Sequence, residues 1–321
     1  VTPYVDAEGN ILGEFPEQTP YIEWKNSAFG NSATTCQNCH MPVAQGGVTI
    51  SLMPGTFPPR QPFFKHFFVG GNAFILAMLS DWGADLGVGA DPVHFDATIA
   101  RVKEQIGQRS ASLSVQDLAL KEGQLTAQLQ ITPFTGHKLP SGIPTRRVWV
   151  HVSVVDSKGN LVFESGRINP DGSISGNAAD MDATSYEPHY DLITNPDQVQ
   201  IYEAIMTNSD GEVTYTLMRA ATYVKDNRLL PNGTEKTTLP EDVAVHGEAL
   251  QDLNFVGGGD LITYQIDVSD AKGPFTFRAE LLYEPLSYRF IQDMLTDETA
   301  EIEQFAGYYG ETYKQPLQVA V

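Results

Sequence analysis

Apolar positions in this chain recur at two different periods, and the change between them falls near Leu113. Upstream the signal is helical. Asn72 to Trp82 (NAFILAMLSDW) spaces Phe74, Ile75, Met78 and Leu79 for the buried side of a short helix, with Asn72 placed to cap it. Asp91-Pro92 is an N-cap followed by a first-turn proline, and Val93, Ile99, Val102 and Ile106 then recur at helical intervals to about Ser110. Residues 1–70 show little periodicity. They are rich in Pro, Gly, Asn and Thr, which predicts an irregular coat with too little apolar mass for a core of its own.

Downstream the pattern alternates, which predicts strands. Gln124–Thr132 alternates, and Arg147–Val155 places Val148, Val150, Val152 and Val154 on one face. Asp156-Ser157-Lys158-Gly159-Asn160 then turns into Leu161–Glu164, a hairpin. Gln198–Met206, Val213–Leu217, Leu261–Val268 and Pro274–Tyr283 are further strand candidates, and Leu286–Leu295 and Glu298–Tyr308 read as closing helices. The fold class expected is α+β: an irregular and helical N-terminal region, residues 1–115, followed by an antiparallel β-sandwich with C-terminal helices, residues 116–321.

Composition narrows the function classes. The formal net charge is −20, which argues against binding nucleic acid or anionic lipid. The charge is uneven: residues 1–115 carry 10 acidic and 6 basic side chains, residues 116–321 carry 30 and 14. The longest apolar run, Phe67 to Leu79, is broken by Gly70, Gly71 and Asn72, so no membrane span is expected. A first residue Val1 with no basic leader suggests a processed or trimmed N-terminus. Asp171, Asn177, Asp180 and Asp182 lack EF-hand spacing and are expected to be a solvated loop. Nucleophile elbow, Walker and H-E-x-x-H strings are absent from the sequence.

The chemistry is concentrated in Cys36-Gln37-Asn38-Cys39-His40, which holds both cysteines of the chain. C-x-x-C-H is the attachment string of c-type haem: two thiols form thioethers with the porphyrin vinyl groups, and the adjoining His is the axial ligand. With seven His in the chain, random placement gives this string on the order of once in ten thousand shuffles. A thioredoxin-type motif would need a strand before it and a helix after it, a zinc site a second ligand pair, and a disulfide would leave His40 unexplained. One covalent haem c is therefore expected on Cys36, Cys39 and His40.

The second axial ligand has several candidates. His66 stands first, in the aromatic run Phe63-Phe64-Lys65-His66-Phe67-Phe68, whose rings suit a porphyrin wall. His137, in the loop Thr135-Gly136-His137-Lys138-Leu139-Pro140-Ser141-Gly142, is the next, and Met53 would supply a thioether. His94, His151, His189 and His246 are expected to be satisfied polar residues. Arg60, Lys65, Arg146 and Arg147 are candidates to pair with the propionates, with a solvated surface as the simpler reading.

Further strings are Phe15-Pro16-Glu17-Gln18-Thr19-Pro20-Tyr21-Ile22-Glu23-Trp24, Met41-Pro42 after the motif, His66 through Gly70-Gly71-Asn72, and Thr135 to Arg147. To these add Glu187-Pro188-His189-Tyr190, Gln198-Val199-Gln200-Ile201-Tyr202-Glu203 and Lys225-Asp226-Asn227-Arg228-Leu229-Leu230-Pro231. Over nearly its whole length the chain resembles secreted bacterial multihaem c-type cytochromes that end in an immunoglobulin-like β-sandwich. The resemblance implies His66 as distal ligand. Such cytochromes carry another C-x-x-C-H just upstream of the segment that begins here at Val1, so either this chain is a C-terminal part, with His137 or His189 able to serve that other iron, or this member has kept one haem.

The function expected is electron transfer through a bis-His haem, in the periplasm or outside the cell, with redox proteins or other haem subunits as partners. One alternative is a peroxidase-like enzyme with an open distal site, which leaves enzymatic activity undecided. The other is a binding module whose sandwich presents Trp149, Tyr186 and Tyr190 as an aromatic platform.

Overall fold

A computed structural model describes all residues from 1 to 321 except Ala7, Pro54, Thr56 and Tyr313. The chain begins with the hairpin β1 (Thr2–Val5) and β2 (Ile11–Phe15), the short helix α1 (Pro20–Lys25) and the one-turn helix α2 (Cys36–His40). Irregular backbone leads to α3 (Ala73–Asp81) and α4 (Pro92–Arg109). Both caps read from the sequence are formed: Asn72 accepts from the Ile75 N–H at 3.0 Å and Asp91 from the Val93 N–H at 3.0 Å. Strands β3 (Ala111–Lys121), β4 (Gln124–Pro133), β5 (Arg147–Val155) and β6 (Leu161–Ser165) follow, then helix α5 (Ala178–Met181). Next come β7 (Leu192–Ile193), β8 (Ile201–Tyr202), β9 (Ala204–Thr207), β10 (Val213–Thr214), β11 (Thr222–Asp226), β12 (Asp260–Asp267) and β13 (Thr276–Glu284). Helices α6 (Tyr288–Met294) and α7 (Ala300–Glu311) precede a last strand, β14 (Leu317–Ala320). The protein is α+β.

Two sheets share one core. The first has the order β3-β4-β12-β7, and the second β14-β13-β5-β6 with β8 also on β5. Alternation decides which side chains face inward. Val148, Val150, Val152 and Val154 are all fully buried, and opposite them in antiparallel register stand Tyr283, Leu281, Ala279 and Phe277. From the other sheet Leu125, Ala127, Leu129 and Ile131 of β4 join Ile262, Tyr264 and Ile266 of β12. The same core takes in Val69, Ala73, Val102 and Ile106, so the helical region packs on the sandwich instead of standing apart. The expected division after residue 115 falls inside β3, which starts at Ala111.

The third sheet, β10-β9-β11, closes the N-terminal hairpin onto the body. Phe15 packs with Met206 and Tyr223, and the Tyr223 hydroxyl donates to the Pro16 carbonyl at 3.2 Å. The expected strand Gln198–Met206 breaks at Glu203, whose side chain pairs with Lys225 at 3.0 Å in place of continuing the alternation. Tyr264 buries its hydroxyl in the sandwich core with no hydrogen-bond partner among the described residues. Tyr264→Phe is therefore expected to leave the melting midpoint unchanged or raise it, by up to about 1 kcal/mol of stability. A loss well beyond that in denaturant titration would show a partner for this hydroxyl.

Candidate metal centre

Helix α2 is a single turn made by its own side chains. Thr35 caps it, and Asn38 turns back to accept from the Thr35 N–H at 2.7 Å, a capping box inside the C-x-x-C-H string. That turn sets Cys36 and Cys39 three residues apart on a helix, and both thiols are free and exposed. His40 is the last residue of the turn, partly buried.

Val69 holds His40 from two sides. The Val69 N–H donates to the His40 carbonyl at 3.0 Å, and His40 Nδ1 bonds the Val69 carbonyl. An oxygen there can only accept, so Nδ1 carries the proton and the Nε2 lone pair is left for a metal, the arrangement typical of ligating histidines. Val69 is itself in the common core, and Gly71, two residues on, lies so close to β13 that a Cβ would meet the Tyr283 hydroxyl at 2.6 Å. The Val-Gly-Gly run thus keys the support of His40 into the sandwich.

The imidazole that the fold sets against His40 is that of His137. The two rings lie 6.1 Å apart between centres with only 17° between their planes. Two imidazole–metal bonds of about 2.0 Å, plus roughly 1 Å from each ring centre to its nitrogen, span about 6 Å. His137 Nδ1 donates to the Lys138 carbonyl at 2.8 Å, so its Nε2 lone pair is also free. Burial pushes the His137 imidazole below its ordinary value, opposed in part by that carbonyl and by the Glu23 charge, so the ring is neutral near pH 7. Two exposed thiols one turn apart and two imidazoles whose Nδ1 atoms are each engaged by a backbone carbonyl fit a haem c and its iron.

The other expected residues are placed elsewhere. His66 is exposed at a turn with its ring beside Phe68, at 5.7 Å between centres. The aromatic run around it does not enclose it: Phe67 lies under the Arg101 guanidinium and Phe68 is exposed. Met53 is 84% exposed. Arg147 is no surface cation; it is buried and bridged to Asp180 at 3.0 Å and to Glu284, so it is spent inside the protein and is not a propionate partner. For the same reason Asp180 is not part of a solvated loop. Trp149 is fully buried with Nε1 donating to the Gly166 carbonyl at 2.9 Å, which removes it from an aromatic platform.

His189, Asp252 and Asp260 form a second cluster, with ligand atoms within 4.8 Å of one another. Its hydrogen bonds fix the tautomer against a metal. Gln200 and Asn227 both donate to His189 Nδ1, at 2.8 and 3.1 Å, and neither amide can be flipped because their oxygens accept from the Tyr190 and Glu203 N–H groups. The proton is therefore on Nε2, facing Asp252 at 3.1 Å. His189 is a buried, satisfied residue, and it is not free to serve another iron.

Sequence reasoning missed the residues that hold His137 in place. Glu23 of α1 accepts from the Lys138 N–H at 3.1 Å and from the Ser141 hydroxyl at 2.6 Å, and pairs with Arg228 at 3.0 Å. Asp226 binds Lys138 at 2.7 Å and accepts from the Nε and Nη2 edge of the Arg228 guanidinium, at 2.9 and 2.7 Å. All four ionic side chains are buried. The one available signal was the cluster of charges in Lys225-Asp226-Asn227-Arg228 between apolar runs, and Glu23 inside Tyr21-Ile22-Glu23-Trp24.

No family model matches the sequence, and no curated protein does. Among solved structures the chain is similar to a penta-heme cytochrome c552 from Thermochromatium tepidum, at 16% identity and a TM-score of 0.47. That match covers 99% of this chain and 52% of the cytochrome, so the chain spans about half its length. Among the described residues no helix is long and apolar enough to cross a membrane.

Proposed function

We propose that this protein is a c-type cytochrome that transfers electrons, in which Cys36 and Cys39 would hold one haem and His40 and His137 would hold its iron. The observation that carries the reading is the pairing of His40 and His137, with ring centres 6.1 Å apart, near-parallel planes and both Nδ1 atoms engaged by backbone carbonyls. Bound there, a haem supplies an iron that passes between ferric and ferrous states.

The protein's own part is to hold the ligands still. Val69 fixes the His40 ring and Lys138 the His137 ring, so neither imidazole has to reorient when the charge between them changes. Two protein ligands leave no position for substrate, which favours electron transfer over a peroxidase-like activity. Covalent attachment of this kind supports a periplasmic or extracellular location, where the protein would meet redox proteins or further haem subunits.

Attachment is tested by Cys36→Ser and Cys39→Ser together, in a host that matures C-x-x-C-H proteins. Wild type is expected to keep its haem through acid–organic extraction, with an intact mass one haem above the polypeptide. The double variant is expected to release all of it. Wild-type protein of bare polypeptide mass, with two alkylatable thiols, would end the reading.

A further inference from the structure

Among the described residues Glu23 is the one carboxylate bonded to the peptide that joins His137, a candidate iron ligand, to Lys138. Its side chain is buried, and four donors surround it: the Lys138 N–H, the Ser141 hydroxyl, Arg228 Nη1 and, at 3.3 Å, the Thr19 hydroxyl. The Lys138 link matters most. The residue whose N–H is held by Glu23 is the same residue whose carbonyl orients His137 Nδ1.

The neighbouring side chain reaches the other imidazole. Trp24 Nε1 donates to the Thr34 carbonyl at 3.2 Å, immediately before the Thr35 cap of α2. Its indole and the Phe29 ring close on Gly136, where an added Cβ would meet them at 3.2 and 3.3 Å. Ser27, just beyond α1, donates to the Gly136 carbonyl at 3.3 Å. Consecutive residues of α1 therefore grip the segments that carry His137 and His40.

Charge balance calls for a second carboxylate beside Lys138, Asp226 and Arg228, but it does not by itself set where the Glu23 oxygens are placed. Asp226 by itself already pairs with both Lys138 and Arg228. What Asp226 does not touch is the Lys138 N–H and the Ser141 hydroxyl, the loop contacts that Glu23 makes.

We infer that Glu23 is a positioning residue for the axial pair: its carboxylate fixes the separation and mutual orientation of His40 and His137 by tying the His137 loop to α1. This rests on the reading of those two histidines as axial ligands.

The test uses holo-protein and reads the ferric spin state and the rate at which carbon monoxide binds the ferrous form. Glu23→Ala is expected to raise both the high-spin fraction and that rate about tenfold or more, as loss of a charged hydrogen bond implies. Ser141→Ala, which removes one contact and leaves the charges in place, is expected to raise them about threefold. Glu23→Gln keeps an acceptor for the Lys138 N–H and should fall between the two. Asp180→Asn, in the separate Arg147 pair, should lower the melting midpoint and leave the spin state as in wild type. If Glu23→Ala does not fold, Ser141→Ala and Glu23→Gln decide. Wild-type spectra in the Glu23 and Ser141 variants, beside a high-spin His137→Ala, would overturn the inference and leave the ligand assignment standing. A low-spin His137→Ala would overturn the assignment itself.

Discussion

His137→Ala is expected to turn a low-spin ferric haem into a predominantly high-spin one that binds cyanide and, when reduced, carbon monoxide. The expectation follows from the pairing of the two rings at 6.1 Å between centres: removing one imidazole would leave the iron with His40 alone. Folding should survive, because His137 is only partly buried and its one side-chain hydrogen bond among the described residues is to the adjacent residue's carbonyl. His66→Ala is the matched comparison. His66 is exposed with its ring against Phe68, so its removal is expected to leave the visible spectrum unchanged. The opposite pattern, a wild-type spectrum in His137→Ala and a high-spin one in His66→Ala, would transfer the distal role to His66.

The largest effect on stability is expected at Asp226. This carboxylate is the shared partner of Lys138 and Arg228, all three buried, so Asp226→Ala leaves two cations in the interior with Glu23 alone to balance them. Removing one side of a buried pair costs about 3–5 kcal/mol, which denaturant unfolding would read as a lower midpoint with an unchanged slope. A loss under about 1 kcal/mol would mean that water reaches the pair.

The same group gives a pH dependence with a definite sign. Burial works against its charge, yet Arg228 and Lys138 outweigh burial and hold the carboxyl at about 2, against an ordinary 3.8. A folded-state value below the unfolded one means that the unfolded chain takes up the proton first as pH falls. The stabilisation is therefore full above the unfolded value of about 3.9 and is lost as pH falls through the folded value. In Asp226→Asn this acid-side component of the unfolding curve is expected to be missing.

What the sequence made legible follows from which interactions are local. The caps at Asn72 and Asp91, the valine face of β5 and the hairpin into β6 were readable because each is set by residues a few positions apart. The last strand, β14, was not, since Leu317–Ala320 is too short to show a period and owes its place to β13. The candidate metal centre divides in the same way. Cys36, Cys39 and His40 are one turn of helix, visible as a string. The partner of His40 depends on how residue 137 returns to the N-terminal segment, and that return is made by a buried ionic network between residues as far apart as Glu23 and Arg228. The aromatic surroundings of His66 pointed to burial, and the fold leaves that turn on the surface because Val69, three residues later, is the residue drawn into the core.

The most direct measurement is the paramagnetic-resonance spectrum of the native ferric protein, frozen at neutral pH. A single low-spin haem with two nitrogen ligands in near-parallel imidazole planes is the predicted result, in keeping with the 17° between the rings of His40 and His137. A high-spin signal, a sulfur-ligated one, or no haem signal would contradict it.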